Sequence, residues 1–540
     1  MAQKLFAYHL DFKRAMWKRD YLDGFLARLK KWGYNAIVCE MEDKFRFSGR
    51  PAINHPEAWP HEETAAFARK CRKTGMRVIP LMQSLGHLEF IVGKEEYAHL
   101  REAPELTTHI DVTNPDSVPF IIKLCDELID VIKPAQYFHL GGDETWQLGN
   151  SRRCRPLLKK HGRGALYLKH MRPLWEHIHQ RGLTPVIWAD MALTHPDMIG
   201  KIPKYVTLMD WNYWLTNERE PGILVWGGFG RGNRSLNWDE LRKEADVSFR
   251  RKLMKYAADK QTGKNGSFRA FYCTDALLDN GFTVLTAPAN RCGGDLVGIP
   301  ISSRHVPNCY YFARKGMRAG AGTLVTSWAV RHNHPEVDLP ATYAAAWGLK
   351  RKGPFDQAEF WKAYTVEMYG AELAGFGDAV ALAEHGADIP FTKAGVLKST
   401  ANFNQKHNAL TESIAGLIKQ YGGRAKTRLH LENVLNDYNR AAVMFKRFRK
   451  EARRNAENLD FWLEGIIADG LLVRLALAVL RKSLSSEKTR LNHLLEKSRR
   501  RTTQLFSRTY APQSVKEELN IRYGFAGKLA AGALVGGISG

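Results

Sequence analysis

Two adjacent carboxylates, Asp143 and Glu144, follow a glycine pair at the end of a short apolar and aromatic run, Ala135 to Leu140. Such a run, coming after a helical stretch, reads as a buried strand that stops at Gly141-Gly142. A strand end is where an α/β protein sets reacting groups, because the strand below is rigid and the loop above is open. A bare Asp-Glu pair is most often a solvated acidic turn. Behind an aromatic strand and two glycines, it points to acid–base chemistry, one group carrying a proton and the other held ionised. The scattered histidines lack a paired ligand spacing on one helix, so no metal is expected. No cofactor is called for either. A Gly-rich stretch, Trp226 to Gly232, lacks the Lys-Ser/Thr ending of a phosphate loop, which argues against nucleotide binding.

The elements that must position this pair recur along the first 350 residues. Eight strand-like runs are visible: Lys4–Leu10, Asn35–Cys39, Arg77–Leu81, Ala135–Leu140, Pro185–Ala189, Tyr205–Met209, Phe282–Thr286 and Thr323–Ser327. Most are followed by helical spacing, as in Leu22, Phe25, Leu26, Leu29 and Trp32, in the stretch from Asn114 to Ile132, and in Leu166 to Gly182. Strands alternating with helices predict a parallel sheet, and eight such units predict an α/β fold of the (β/α)8 barrel type. In such a barrel the site lies just beyond the strand ends. Polar and aromatic residues do recur there: His9, Asp11 and Lys13; Glu42 and Asp43; Gln83, His87 and Glu89; Asp143 and Glu144; Trp188 and Asp190; Asp210, Trp211 and Tyr213; Asn290; Trp328 and Arg331. The boundaries that follow are a barrel over 1–353 with a long insertion at about 215–280, an all-helical domain over 354–524, and a flexible tail over 525–540.

Lys and Arg number 80 against 56 Asp and Glu, a net charge of +24, in a chain of 540 residues. That balance speaks to partners rather than fold, and it suits an anionic glycan, a nucleic acid or an anionic membrane surface. The basic runs after residue 440 read mostly as solvated helix faces. No interleaving of aromatics marks an RNA-binding face, so nucleic acid is not the expected partner. Seven cysteines stand singly with no Cys-x-x-Cys spacing, which argues against a disulfide framework or a zinc site. The first residues run straight into a strand without a signal-peptide pattern, and no apolar run reaches 18 residues. A cytoplasmic, reducing setting without membrane insertion is the expectation. Oligomeric state is not legible.

His139-Leu-Gly-Gly-Asp-Glu144 resembles the signature of family 20 glycoside hydrolases, the β-N-acetylhexosaminidases. His9-Leu-Asp-Phe-Lys13, Glu40-Met-Glu-Asp43, the run Ile79 to Phe90 and Tyr97-Ala-His-Leu-Arg-Glu102 bring it nearer the hexosaminidase D type. The resemblance implies the same barrel and an exo-acting, retaining hydrolase that removes terminal β-linked N-acetylhexosamine. It implies Glu144 as general acid and base, and Asp143 as the ionised partner of the substrate's acetamido group, which serves as nucleophile. It further implies His87 beside the carboxylates, tuned by Asp43 or Glu42, with His139 as a further supporting residue, and Trp188, Trp211 and Trp328 around the sugar. Tyr213 would position the acetamide. Three positions depart from the family pattern. Phe6 stands where an arginine grips sugar hydroxyls, and the usual motifs after strands seven and eight read Thr286-Ala-Pro-Ala-Asn290 and Trp328-Ala-Val330. Asp11, Lys13 and Arg331 are the candidates to replace them, which leaves glucosamine or galactosamine open. Two other readings stay open: a catalytically impaired glycan-binding barrel, and a basic interaction protein for anionic polymers.

Overall fold

The computed structural model describes residues 3–226, 233–236, 239–240, 243, 254–258, 267–329, 334–389, 403–481 and 483–530. Eight strands form its centre: β1 (Leu5–Asp11), β2 (Ala36–Glu40), β3 (Arg77–Leu81), β4 (Tyr137–His139), β5 (Thr184–Trp188), β6 (Thr207–Trp211), β7 (Val284–Ala287) and β8 (Gly322–Ser327). Neighbours pair in sequence order, all in parallel, and Leu5 to Tyr8 of β1 pair with Gly322 to Val325 of β8 to close the ring. This is the (β/α)8 barrel the alternation predicts. The strands are buried on both faces, which is why they read as continuous apolar runs. Closure brings backbones into close approach: a Cβ on Gly322 would stand 2.1 Å from the Leu5 carbonyl oxygen.

The helix Arg19–Lys31 buries Leu22, Phe25, Leu26 and Leu29 against the barrel, the stripe its spacing predicts. Ser117–Ile132 likewise buries Ile121, Leu124, Cys125, Leu128, Ile129 and Ile132. The helix Arg155–Gln180 begins eleven residues before the expected Leu166. Gly162, at φ 79°, breaks its helical path, so two helical pieces run on as one element. After β6 the insertion carries short antiparallel pairs, Arg219–Glu220 with Phe268–Arg269 and Ile223–Trp226 with Asn233–Leu236, and then the helix Tyr272–Asp279. The Gly-rich stretch 227–232 lies outside the described residues.

Beyond residue 354 every described element is helical, including Phe403–Tyr421, Arg424–Glu451, Leu459–Leu480, Leu484–Phe506 and Pro512–Ala530. The last of these runs across the expected boundary at 524 to the end of the described residues. These helices rest on the loops that follow β1, β2, β7 and β8. Lys18 and Ala511 exchange backbone bonds with Thr509 and Met16, and Ser514 and Gln513 donate to the Glu57 carboxylate. Gly298 donates to Asp469 at 2.8 Å. All four loops lie at the C-terminal ends of the strands, so the helical region borders the face where a barrel carries its chemistry. Among the described residues no helix is long and apolar enough to cross a membrane.

Candidate active site

The turn after β4 is built by its glycines. Gly141 and Gly142 sit at φ 63° and 83°, conformations closed to most side chains. Space is as restrictive: a Cβ would stand 2.0 Å from Gln83 Oε1 at the first and 2.6 Å from the Tyr167 hydroxyl at the second. His139 Nδ1 accepts the Gly141 N–H at 3.0 Å, and its buried ring is pushed down to about 3, so it stays neutral. The chain then reaches two carboxylates in unlike surroundings. The Asp143 side chain is 9 % exposed and that of Glu144 45 %. Among the described residues, Asp143 Oδ1 is buried without a hydrogen-bond partner, an acceptor left over for something else.

His87 stands between them, its Nε2 3.4 Å from Asp143 Oδ2 and 3.5 Å from Glu144 Oε2. Burial alone would lower its pKa. The Asp143 charge, with hydrogen bonds to both carboxylates, outweighs burial and holds it well above 6.5. These surroundings favour the imidazolium form of His87. Its own backbone is left-handed, φ 54°. His109, close behind, is pushed down to about 4 by burial and by the His87 charge.

The aromatic residues divide into floor and wall. Trp188 is fully buried, its ring 4.5 Å from His139 and 5.6 Å from Trp328 between centroids, so it supports the site from below. The expected wall position falls to its neighbours. Trp211 stacks on Tyr213 at 4.9 Å, and Trp328 donates its indole N–H to the Tyr213 hydroxyl at 3.1 Å. Tyr213, Trp211 and Trp328 thus form one connected surface.

At the ends of β1 and β2 lies a charged cluster that the sequence only partly discloses. Asp11 accepts the backbone N–H groups of Lys13 and Ala329, both at 2.8 Å, so it ties two loops together and has little left for a ligand. Lys13 Nζ lies 3.4 Å from Glu40 Oε1, 3.1 Å from Glu42 Oε1 and 5.8 Å from the Trp328 ring centre. Glu40 is wholly buried and also accepts from His9 at 2.9 Å and Gln83 at 3.0 Å. Burial opposes its charge, but Lys13 and then His9 hold it ionised, well below the usual carboxylate range. Burial pushes Glu42 well above that range, against the pull of Lys13. The ion pairs of Glu42 and Asp43 are with Lys13 and, at 2.9 Å, Lys44. Those of His87 are with Asp143 and Glu144, so the support expected for His87 from Glu42 and Asp43 comes from the carboxylate pair itself. Arg331 lies outside the described residues.

Three residues given no individual role by the sequence emerge here, Glu40 together with His9 and Asp190, the last two noted only among the polar residues at strand ends. Each is a polar side chain at or near the end of an otherwise apolar strand, which is the signal that marks it. His9 with Asp11 and Glu40, and Cys292 with Asp295 and His305, have the spacing of metal ligands. Lys13 and Arg304 already neutralise these carboxylates, Arg304 lying 2.8 Å from Asp295.

A closed parallel barrel with an acid pair on the turn after its fourth strand, His87 between the acids and a connected aromatic surface at the strand ends is a candidate acid–base site of the barrel-enzyme class. Residues 53–222 match the catalytic-domain model of glycosyl hydrolase family 20. Hexosaminidase D of Bos taurus is 29% identical over 213 residues, covering 38% of this chain and 62% of the relative. Hexosaminidase D of Homo sapiens is 28% identical over 213 residues, 38% of this chain and 44% of the relative. The chain thus spans less than two thirds of the length of these relatives. The solved chitobiase of Flavobacterium johnsoniae aligns with 97% of this chain and 78% of its own, at 15% identity and a TM-score of 0.48.

Proposed function

We propose that the protein is an exo-acting, retaining β-N-acetylhexosaminidase that removes terminal β-linked N-acetylglucosamine or N-acetylgalactosamine with the help of the substrate's own acetamido group. The observation that carries this reading is the placement of Asp143 and Glu144 on a single turn. Carboxyl groups that act as separate nucleophile and acid stand about 5–5.5 Å apart on opposite sides of the anomeric carbon. Two neighbours on one turn cannot easily straddle a sugar that way. They suit a division in which one protonates the leaving oxygen and the other holds the acetamido group.

Glu144, the more exposed, gives its proton to the glycosidic oxygen as the acetamide carbonyl oxygen attacks C1 and the C1–O bond breaks. The buried Asp143 accepts the acetamide N–H and offsets the positive charge that grows on the oxazolinium ring. Water then attacks C1 from the face the leaving group vacated. Glu144 takes its proton, the ring C1–O bond opens, and configuration is retained. The imidazolium of His87 steadies both carboxylates through the cycle. The aromatic surface of Trp211, Tyr213 and Trp328 packs against the sugar and the acetamido methyl. Lys13, at the rim of that surface, is the candidate for the sugar hydroxyls. A cytoplasmic setting fits seven buried cysteines, none of them in a disulfide.

The test offers aryl β-N-acetylglucosaminide and β-N-acetylgalactosaminide to one preparation, with a thiazoline mimic of the oxazolinium ring as inhibitor. Turnover that the thiazoline blocks is expected, and the rate ratio identifies the preferred epimer. In Glu144→Gln the rate should fall by about 10²-fold or more, the usual share of a general acid. Parent-like turnover by that variant would overturn the assignment. Thiazoline binding without turnover of either glycoside would make the chain a glycan-binding barrel instead.

A further inference from the structure

Asp190 is the first residue of the short helix Asp190–Thr194 that follows β5, and it is wholly buried. Its two carboxylate oxygens face two different neighbours. Oδ2 accepts the backbone N–H of Glu144 at 2.9 Å. Oδ1 accepts the indole N–H of Trp211 at 3.3 Å. One side chain just beyond β5 thereby joins the turn after β4, which carries the acid pair, to the end of β6, which carries the aromatic wall.

The bond to Glu144 holds an uncommon backbone. Glu144 lies at φ 50°, in the left-handed region that glycine or asparagine occupies more readily. Without an anchor on its N–H, the turn would relax to a conformation that points the Glu144 side chain elsewhere. An aspartate is also a costly choice for this place. Among the described residues, the groups that shape its titration most are Asp143, Glu144 and Trp211, with Tyr167 nearby. Burial, and then the charge of Asp143, push its pKa up to about 8. The hydrogen bonds that its two oxygens accept, from the Glu144 N–H and the Trp211 indole, offset part of this cost.

We infer that Asp190 is a positioning residue: it fixes the backbone of Glu144 in the left-handed conformation from which that carboxyl reaches the glycosidic oxygen, and it couples this conformation to Trp211. The inference rests on the proposed role of Glu144 as general acid, and it separates from that role experimentally. A residue that acts through the acid matters most when the leaving group needs protonation. It matters little when the leaving group departs unaided.

The experiment compares parent, Asp190→Ala and Asp190→Asn on aryl β-N-acetylhexosaminides whose phenols range from dinitrophenol to phenol. Amide hydrogen exchange at Glu144 is followed alongside as a readout that needs no turnover. In Asp190→Ala kcat should fall by about tenfold to a hundredfold for the phenyl glycoside but by less than about threefold for the dinitrophenyl one, with KM nearly unchanged. Exchange at the Glu144 amide should be faster than in the parent. Asp190→Asn, which keeps one carbonyl acceptor in the same volume, should recover part of both losses and stays informative if the alanine variant folds poorly. A loss equal across all leaving groups, or unchanged exchange at Glu144, would overturn the inference. A parent that hydrolyses none of the glycosides would sink the functional reading, and unaltered exchange in the variants would still overturn the Asp190 anchor independently.

Discussion

His87 carries its charge because of what surrounds it, and that makes it measurable. Its pKa in the folded protein is raised above the ordinary 6.5 by Asp143 and Glu144 against the effect of burial. The folded state therefore binds a proton more tightly than the unfolded chain does. The stability this provides is fully present below pH 6.5 and is lost as pH rises through the raised value. Replacing His87 by Asn removes the charge while keeping a residue that tolerates φ 54°. The difference in melting temperature between parent and His87→Asn should be largest near pH 5 to 6 and should shrink steadily into the alkaline range. A difference independent of pH would mean that His87 contributes packing alone. Asp143 and Glu144 are legible in the sequence because two glycines and an aromatic strand frame them within ten residues. The partners of Glu40 and Asp190 lie 31 and 46 residues away in the chain, His9 and Glu144 among them, so no local pattern discloses them. The ion pairs of Lys13 with Glu40 and Glu42, the first 27 residues away, are equally invisible to a local pattern.

The strands are the elements that could be placed within about two residues, since a strand buried on both faces is an uninterrupted apolar run with polar residues only at its end. Trp188 shows the limit of that logic. A strand-end tryptophan can face the opening or the floor, and only the assembled barrel decides. The same limit hides the joint where the barrel meets the helix Leu459–Leu480. Gly298, after β7, and Gly465 of that helix lie backbone to backbone: a Cβ on Gly465 would stand 2.4 Å from the Gly298 carbonyl oxygen. Neither backbone can move without displacing its element. Gly465→Ala should lower stability by about 1–3 kcal/mol or more, seen as an earlier urea midpoint with an unchanged slope. The neighbouring Asp469 accepts the Gly298 N–H, and burial pushes its pKa from 3.8 to about 8. Between those values the folded protein keeps a proton that the unfolded chain has lost, so this group withdraws stability as pH rises from about 4 to 8. Asp469→Asn should flatten the decline across that window by at most about 1.4 kcal/mol per pH unit. A decline as steep as the parent's would place the proton elsewhere.

At the scale of the whole molecule, the change from alternating strands to continuous helices near residue 354 is visible in the sequence as a fading of strand-like runs. What the sequence does not disclose is how far the helices have entered the barrel. Trp17, after β1, forms an antiparallel bridge with Tyr510, and Met16 donates its N–H to Ser514 Oγ at 2.9 Å. His334, before the helix Pro335–Leu349, stacks on Phe461 with ring centres 3.6 Å apart and bonds to Thr509 at 2.7 Å. Glu336 receives Arg28 from the first barrel helix and Asn458 from the helical region. These partners stand more than 120 residues apart in sequence, beyond any periodicity. They are also buried: Trp17, His334, Phe461, Phe506 and Tyr510 are all at most 6 % exposed. Cutting the chain after residue 353 would bare this aromatic seam and leave the Glu336 carboxylate with one partner fewer, on the loops that frame the site. Apolar patches of that kind drive association in a monomer. A fragment of residues 1–353 should therefore aggregate or unfold without the helical region, while the intact chain should melt in one cooperative transition by calorimetry. A soluble 1–353 fragment that binds the thiazoline with parent affinity would show that the barrel stands alone and that the helices only cover it.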